Sequence, residues 1–242
     1  MDTNFNLMNQ GNTAPSSAIA KTFISNVFSW MAAALIITGI VAYQFNEQGL
    51  ISYLINTTEN GTRMSGLGYV VMFAPLGFVL LISAGFNRFS STILLALFLA
   101  FSVLMGMSLS FIFLMYTQAS IFKTFAIAGA MFGTMAVLGY TTKTDLTKFG
   151  SIMMMGLIGI IIASLINMFM HSGGFDYIIS FFGVVIFTGL TAYDVQKIKA
   201  IGSGDQGQEN NSKLAIMGAL TLYMDFINLF LFLLRFFGNR RD

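Results

Sequence analysis

The segment LAIMGALTLYMDFINLFLFLL, residues 214–234, decides the fold. As a helix it is long enough to cross a hydrocarbon core of about 30 Å. Its only charged residue is Asp225. An ionised aspartate at the bilayer centre costs about 2.5–3.5 kcal/mol, so such residues usually face the interior of a helix bundle. The segment therefore predicts a membrane-spanning helix that lies inside a bundle of other helices.

The remainder of the chain has a similar composition. Hydrophobic residues make up 56% and charged residues 9% of the 242 residues, whereas soluble proteins have roughly 25% charged residues. Membrane β-strands alternate apolar and polar residues, and the apolar runs of this chain do not. The sequence predicts an all-α, polytopic membrane protein with seven transmembrane helices. The other six charge-free stretches cover residues 22–46, 64–87, 89–122, 124–142, 149–175 and 177–193.

The predicted organisation is one transmembrane domain with short ends. We expect a polar N-terminal tail over residues 1–21, the seven-helix domain over 22–238 and a short C-terminal tail over 239–242. Two longer connections, 44–67 and 200–213, are rich in glycine and polar residues and predict flexible loops. The predicted helices cover residues 23–43, 69–86, 93–116, 125–140, 152–170, 178–199 and 214–237.

The loop charges predict the orientation of the chain. Cytosolic loops of membrane proteins are enriched in Lys and Arg. The three C-terminal arginines are left out of this count, because no further helix follows whose orientation they could set. The remaining charges then favour a cytosolic N-terminus and an external C-terminus. On this topology the inner side carries Lys21, Arg88, Lys143, Lys148, Lys197, Lys199 and Lys213, and the outer side Arg63, Lys123, Arg235, Arg240 and Arg241.

Asp225 lies near the middle of the membrane. It follows Lys213 by roughly 18 Å along the helix axis. At helical spacing it shares a face with Gly218, Thr221 and Asn228, while apolar side chains cover the other faces. This small, polar stripe predicts that the seventh helix turns Asp225 towards a polar interior.

A second carboxylate, Asp194, lies in TGLTAYDVQKIK at residues 188–199, with Thr191 nearly one turn before it. Two interpretations are open. Asp194 could form a solvated pair with the lysines that follow it, Lys197 and Lys199. Alternatively, it could face Asp225 across the bundle, where two close carboxyls cannot both ionise cheaply and would compete for a proton. Such a pair would respond to pH.

The residues give little support to catalysis or to a bound cofactor. The chain has no cysteine and a single histidine, His171, so thiol chemistry and a histidine metal site are excluded. GSGDQG at residues 202–207 matches a dinucleotide-binding pattern in letters, but it follows a membrane helix rather than a strand. The net charge of +2 does not suggest nucleic-acid binding. We expect neither an enzyme nor a resident cofactor.

Three segments resemble the Bax inhibitor-1 family, also called the transmembrane Bax inhibitor motif family, in its bacterial branch. They are TGLTAYDVQKIK at 188–199, LYMDFINLFLFLLRFFG at 222–238, and VLGYTTKTDLTKFGSIMMMGLIGIIIASLINMF at 137–169. With the hydropathy pattern, the resemblance covers nearly everything beyond the N-terminal tail. It implies a seven-helix bundle with the seventh helix at its centre, in a bacterial inner membrane.

The resemblance also implies a function, a pH-sensitive calcium leak. On the family pattern, Asp194 and Asp225 form a di-aspartyl pH sensor and line the path of the calcium ion. Arg88, in SAGFNRFSS at 83–91, is the basic residue that would latch onto Asp194. Thr191, Thr221 and Asn228 are the other residues expected to line the pathway. Calcium prefers hard oxygen ligands, but the residues alone would equally allow protons or another cation.

The alternative prediction is a membrane regulatory protein that modulates a partner, such as a membrane protease. The expected partners are therefore the lipid bilayer, calcium ions and protons, with a second membrane protein in the alternative. A leak conducts ions on its own, whereas a regulator needs its partner, so reconstitution separates the two predictions.

Overall fold

A computed structural model of the chain describes residues 16–58, 61–204 and 207–241. Within these ranges, seven helices are long and apolar enough to cross a membrane, which confirms the predicted all-α, seven-helix fold. We number them first to seventh. A one-turn helix, Ile112–Met115, prolongs the third towards the fourth. The seven helices are Ser16–Glu47, Gly66–Gly85, Ser91–Leu109, Gln118–Thr141, Thr147–Met170, Gly173–Gly202 and Gln208–Phe237.

Several helices begin earlier than the apolar runs predicted, because polar side chains cap them. The hydroxyl of Ser65 accepts a hydrogen bond from the backbone N–H of Gly68 at 3.0 Å and starts the second helix. Thr117 and Ser172 cap the fourth and sixth helices in the same way. A capping hydroxyl satisfies an N–H group that has no partner within the helix, so the helix can extend into the polar boundary region.

Two predicted boundaries of the chain are wrong. The first helix begins at Ser16, so residues 16–21 belong to it rather than to a polar tail; residues 1–15 lie outside the described residues. Alanine and lysine favour helices, and no helix breaker follows Pro15 in this stretch. The predicted loop over 200–213 is also too long, since the sixth helix ends at Gly202 and the seventh begins at Gln208.

The connection between the first and second helices is not the simple loop that its glycines predicted. It contains a single turn of 3-10 helix, Leu50–Tyr53, and an antiparallel hairpin of β1 (Ile55–Thr58) and β2 (Gly61–Met64). The backbone N–H of Ser65 donates to the carbonyl of Leu54 at 2.9 Å. The hairpin is therefore joined directly to the start of the second helix.

The seventh helix is the centre of the bundle, as predicted. It packs against the first, third, fourth and sixth helices. Leu222, Tyr223 and Leu229 on this helix are completely buried. The fifth helix is the most exposed of the seven and packs mainly against the sixth. The second helix packs mainly against the third, so the second and fifth helices flank one side of the bundle without close mutual packing.

The C-terminal residues form a short strap on the bundle. The backbone N–H of Arg241 donates to the carbonyl of Met115 at 2.9 Å, and that of Thr117 donates to the carbonyl of Asn239 at 3.2 Å. The N–H of Asn239 also donates to the Ser120 hydroxyl at 3.0 Å. The end of the chain therefore holds the connection between the third and fourth helices.

Candidate functional site

The structure brings Asp194 and Asp225 together. The sixth and seventh helices pack along each other, and the two carboxyl groups lie within hydrogen-bonding range. Asp225 is 6% exposed, and Asp194 is half-buried. Of the two interpretations of Asp194, the structure therefore favours the one in which it faces Asp225 across a helix interface.

The environment of Asp225 leaves one oxygen without a donor. Among the described residues, no group donates a hydrogen bond to the buried Oδ2 atom of Asp225. The neighbouring carboxyl group, that of Asp194, can donate only when it carries a proton, because an ionised carboxylate only accepts. A hydrogen bond between the two carboxyls thus requires one shared proton. A cation, or a hydrogen-bond donor of a bound molecule, can take the place of that proton between the two carboxyls.

Both carboxyl groups line a cavity of about 910 Å³ between the second, fifth, sixth and seventh helices. Most of its walls are apolar side chains. Its polar lining groups are Ser83, Ser164, Asp194, Lys197, Thr221, Asp225 and Asn228, with the hydroxyl-bearing Tyr193 beside them.

Two of the three predicted pathway residues lie on this cavity. The hydroxyl of Thr221 donates to the carbonyl of Met217 at 3.1 Å, and the side-chain amide of Asn228 donates to the carbonyl of Met224 at 2.9 Å. These bonds hold each side chain against its own helix. The acceptor oxygens of Thr221 and Asn228 remain available on the wall that carries Asp225.

Thr191 does not line the cavity, so this part of the prediction is wrong. Its side chain is completely buried, and its hydroxyl donates to the carbonyl of Phe187 at 2.8 Å. Three residues turn a helix by about 300°, so Thr191 lies about 60° around the helix from Asp194. That rotation is enough to direct Thr191 into a contact between helices.

The predicted bridge between Arg88 and Asp194 is absent from this structure. Arg88 is exposed, in the turn that follows the second helix, and its backbone N–H donates to the carbonyl of Gly85 at 2.9 Å. In the described ranges the ion pair joins Arg235 to Asp176, with Nη1 and Oδ1 3.3 Å apart. The second helix ends at Gly85, which leaves Arg88 beyond the helix end rather than beside Asp194.

Lys197, which the sequence suggested only as a solvated partner of Asp194, is a charged residue of the site. It lines the cavity and is close enough to Asp194 to interact with its charge. Its Nζ atom lies 6.0 Å from the centre of the Tyr193 ring. Asp194 and Lys197 are three residues apart, which places both on one face of the helix. This spacing was the signal that the sequence offered for Lys197. Ser83, on the second helix, carried no such signal.

The described residues hold no group of three or more His, Cys, Asp or Glu side chains that could bind a metal ion. Calcium takes six to eight oxygen ligands, and the cavity offers two carboxylates with hydroxyl and amide oxygens.

The fold and the site define an integral, multi-pass membrane protein whose central helix carries a carboxylate paired with that of its neighbour. The family model described as inhibitor of apoptosis-promoting Bax1 matches residues 20–242. The chain therefore belongs to the Bax inhibitor-1 family, as its motifs predicted.

Bacterial proteins are similar to this chain along almost their whole length. A protein of Borreliella burgdorferi is 47% identical over 93% of this chain and 94% of its own. A protein of Rickettsia prowazekii is 45% identical over 92% of this chain and 91% of its own. The inner membrane protein YbhL of Escherichia coli is 42% identical over 91% of this chain and 93% of its own.

Proposed function

We propose that the protein is a pH-sensitive leak for cations, with calcium as the permeating ion and the Asp194–Asp225 pair as the group that binds the proton. One observation carries the proposal. Two carboxyl groups lie within hydrogen-bonding range on the wall of a large cavity, and one of their oxygens is buried with no donor in the described part of the chain. Intramembrane carboxylates in such a position mark ion and proton pathways.

Protonation and cation binding compete at this pair. With a shared proton the two side chains form a closed hydrogen-bonded unit that has less charge to offer a cation. Loss of the proton leaves two negative groups side by side, which repel each other and attract a cation from the cavity. A change in pH then shifts the balance between two conformations, provided that they hold the proton with different affinity.

The second helix is the element best placed to move between such conformations. It contributes Val79 and Ser83 to the cavity wall but packs mainly against the third helix. Its displacement would open the cavity without disturbing the central packing of the seventh helix.

Calcium is the proposed ion because all the polar groups near the pair other than Lys197 present oxygen atoms. Carboxylate, hydroxyl and amide oxygens are the ligands that calcium prefers. We place the protein in a bacterial inner membrane, because the Escherichia coli relative YbhL is named an inner membrane protein. The loop charges support a cytosolic N-terminus.

Reconstitution of the purified protein in liposomes that contain a calcium indicator tests the proposal. We expect calcium influx whose rate changes with pH, and an Asp225→Asn variant whose flux no longer follows pH. Asp194→Asn should likewise weaken the dependence of the calcium flux on pH. Asp145→Asn is the matched control, because Asp145 lies in the loop between the fourth and fifth helices, away from the cavity.

The same experiment decides against the alternative, a regulator of a membrane protein partner. A regulator would show no flux in liposomes at any pH, even when it is correctly folded and inserted. A flux that follows pH identically in the wild type and in Asp225→Asn would instead reject the carboxylate pair as the proton-binding group.

A further inference from the structure

We propose that the cavity between the second, fifth, sixth and seventh helices is a binding site for lipophilic amines, molecules that carry one ammonium group on an apolar chain. The proposal concerns occupancy of the cavity and not ion flux. It can therefore hold or fail independently of the proposed leak activity.

The walls of the cavity suit the apolar part of such a molecule. The volume of about 910 Å³ lies within the range of about 300–1,000 Å³ that is typical of small-molecule sites. Most of the lining side chains are aliphatic, methionine or aromatic. Examples from the fifth, sixth and seventh helices are Met154, Leu157, Ile161, Leu190, Met224 and Phe232.

The cavity is open to molecules that are dissolved in the bilayer. Ile161 and Leu165 line it and are more than half exposed, and the fifth helix that carries them packs mainly against the sixth. On the other side, the second helix is packed mainly against the third. An apolar molecule can therefore enter sideways from the hydrocarbon, without crossing the loops.

The polar groups of the cavity favour a cationic head group. The buried Oδ2 atom of Asp225 has no donor among the described residues, and a primary ammonium has three N–H donors. Asp194 and Asp225 both line the cavity, so the N–H groups of one ammonium can serve the carboxyls of both residues. Two acidic groups face the cavity against one base, Lys197, so an added positive charge is accommodated and an added negative charge is repelled.

A neutral occupant would satisfy the site less well. A lipid acyl chain can fill the apolar walls, but it offers no donor to Asp225, which would keep a buried, unpaired oxygen. A hydroxyl supplies a single uncharged donor, whereas an ammonium supplies three donors and a positive charge that attracts the carboxylates. The ammonium group is therefore the part of the ligand that distinguishes this proposal from simple lipid filling.

Tryptophan fluorescence in nanodiscs of zwitterionic lipid tests the proposal on the full chain. Trp30 is the single tryptophan of the sequence and lies on a separate pocket between the first, third and seventh helices. A Trp30→Phe, Leu165→Trp variant therefore reports on the cavity alone, and the exposed position of Leu165 has room for the larger ring. The probe is ω-bromododecylamine, whose bromine quenches nearby tryptophan, and ω-bromododecanol is the neutral control of equal chain length.

We expect the amine to quench at a concentration at least about tenfold lower than the alcohol, equivalent to about 1.4 kcal/mol. Asp225→Asn in the reporter background should remove this difference, and Asp145→Asn should leave it unchanged. If Asp225→Asn does not fold, Ser164→Phe supplies the second test, because it fills the cavity and retains both carboxylates. It should also remove the difference.

Two results would overturn the proposal. Equal potency of the amine and the alcohol would show that the cavity accepts any apolar chain and does not recognise the ammonium group. An amine preference that survives in Asp225→Asn or in Ser164→Phe would show that the probe binds elsewhere.

Discussion

The carboxylate of Glu209, at the start of the seventh helix, accepts two hydrogen bonds from Ser91, at the start of the third. The backbone N–H of Ser91 lies 2.7 Å from Oε1, and its hydroxyl lies 2.8 Å from Oε2. The first N–H groups of a helix have no partner within it, and a negative charge is favourable at that end. Glu209 therefore ties the start of the central helix to the start of the third helix.

We predict that Glu209→Ala loosens this end of the bundle. The N–H of Ser91 would lose its acceptor, and the first turn of the third helix should exchange its amide hydrogens faster. Hydrogen exchange measured by mass spectrometry on peptides that cover residues 88–95 tests this. Ser91→Ala removes only the hydroxyl bond and should have a smaller effect. Equal exchange in Glu209→Ala and the wild type would contradict the prediction.

A second prediction concerns Gly139, where the fourth and sixth helices come closest. A Cβ atom at Gly139 would collide with the backbone of Ala192, whereas a Cβ atom at Gly129 meets nothing within 4 Å. Gly139→Ala must therefore push the two backbones apart, and overpacking of this kind costs about 1–3 kcal/mol.

Gly129→Ala is the matched control for Gly139→Ala. Both residues lie on the fourth helix, and the control should be neutral or stabilising, because alanine favours a helix by up to about 1 kcal/mol over glycine. Thermal unfolding in detergent measures both. Equal changes in melting temperature for the two variants would contradict the close approach at Gly139.

The third prediction concerns a buried polar network that joins the first, third and seventh helices. The hydroxyl of Thr38 donates to the carbonyl of Ser102 at 2.8 Å and lies 2.7 Å from the hydroxyl of Tyr223. Because the Thr38 proton is engaged by Ser102, Tyr223 acts as the donor to Thr38. All three residues are buried.

Tyr223→Phe should cost about 0.5–1.5 kcal/mol, since it removes a donor and leaves Thr38 bonded to Ser102. Thr38→Val should cost more, about 1–3 kcal/mol, because it leaves the buried Tyr223 hydroxyl without the partner to which it donates. The cost of the double variant should be smaller than the sum of the costs of the two single variants. Additive costs in unfolding measurements would show that the two hydroxyls do not interact.

A fourth prediction concerns pH and the loop before the fifth helix. The hydroxyl of Thr147 and its backbone N–H both donate to Oδ1 of Asp145, at 2.6 and 2.9 Å. The side-chain bond, followed by the backbone bond, lowers the pKa of Asp145 below its ordinary value of 3.8. These bonds stabilise the start of the fifth helix above that value, and the contribution is lost as the pH falls through the lowered pKa.

Titration of the Asp145 carboxyl carbon by NMR should give a midpoint below 3.8, the ordinary value. Thr147→Ala should raise this midpoint, because the hydroxyl bond is the largest of its causes. Asp145→Asn keeps an acceptor for the Thr147 N–H but does not titrate, so the acid-induced fraying at residues 147–150 should disappear. A midpoint that is unaffected by Thr147→Ala would contradict the assignment.

The identity of the helices could be predicted because each depends on a local run of residues. An apolar run of sufficient length has to span the bilayer whatever surrounds it. The helix ends were predicted less well, because Ser65, Thr117 and Ser172 cap their helices beyond the apolar runs. The hairpin of β1 and β2 was missed because its short strands lie among glycine and asparagine residues typical of loops.

The sequence by itself determined that the chain spans the membrane seven times and that the helix with Asp225 lies inside the bundle, because burial of a carboxylate can be read from a single helix. Only the tertiary structure decided that Asp194 faces Asp225, that Thr191 is buried between helices, and that Arg88 stands apart. These positions depend on the rotation and tilt of each helix against its neighbours. A rotation of about 60° separates a cavity-lining residue from a packing residue. The hydropathy of the sequence does not determine this rotation.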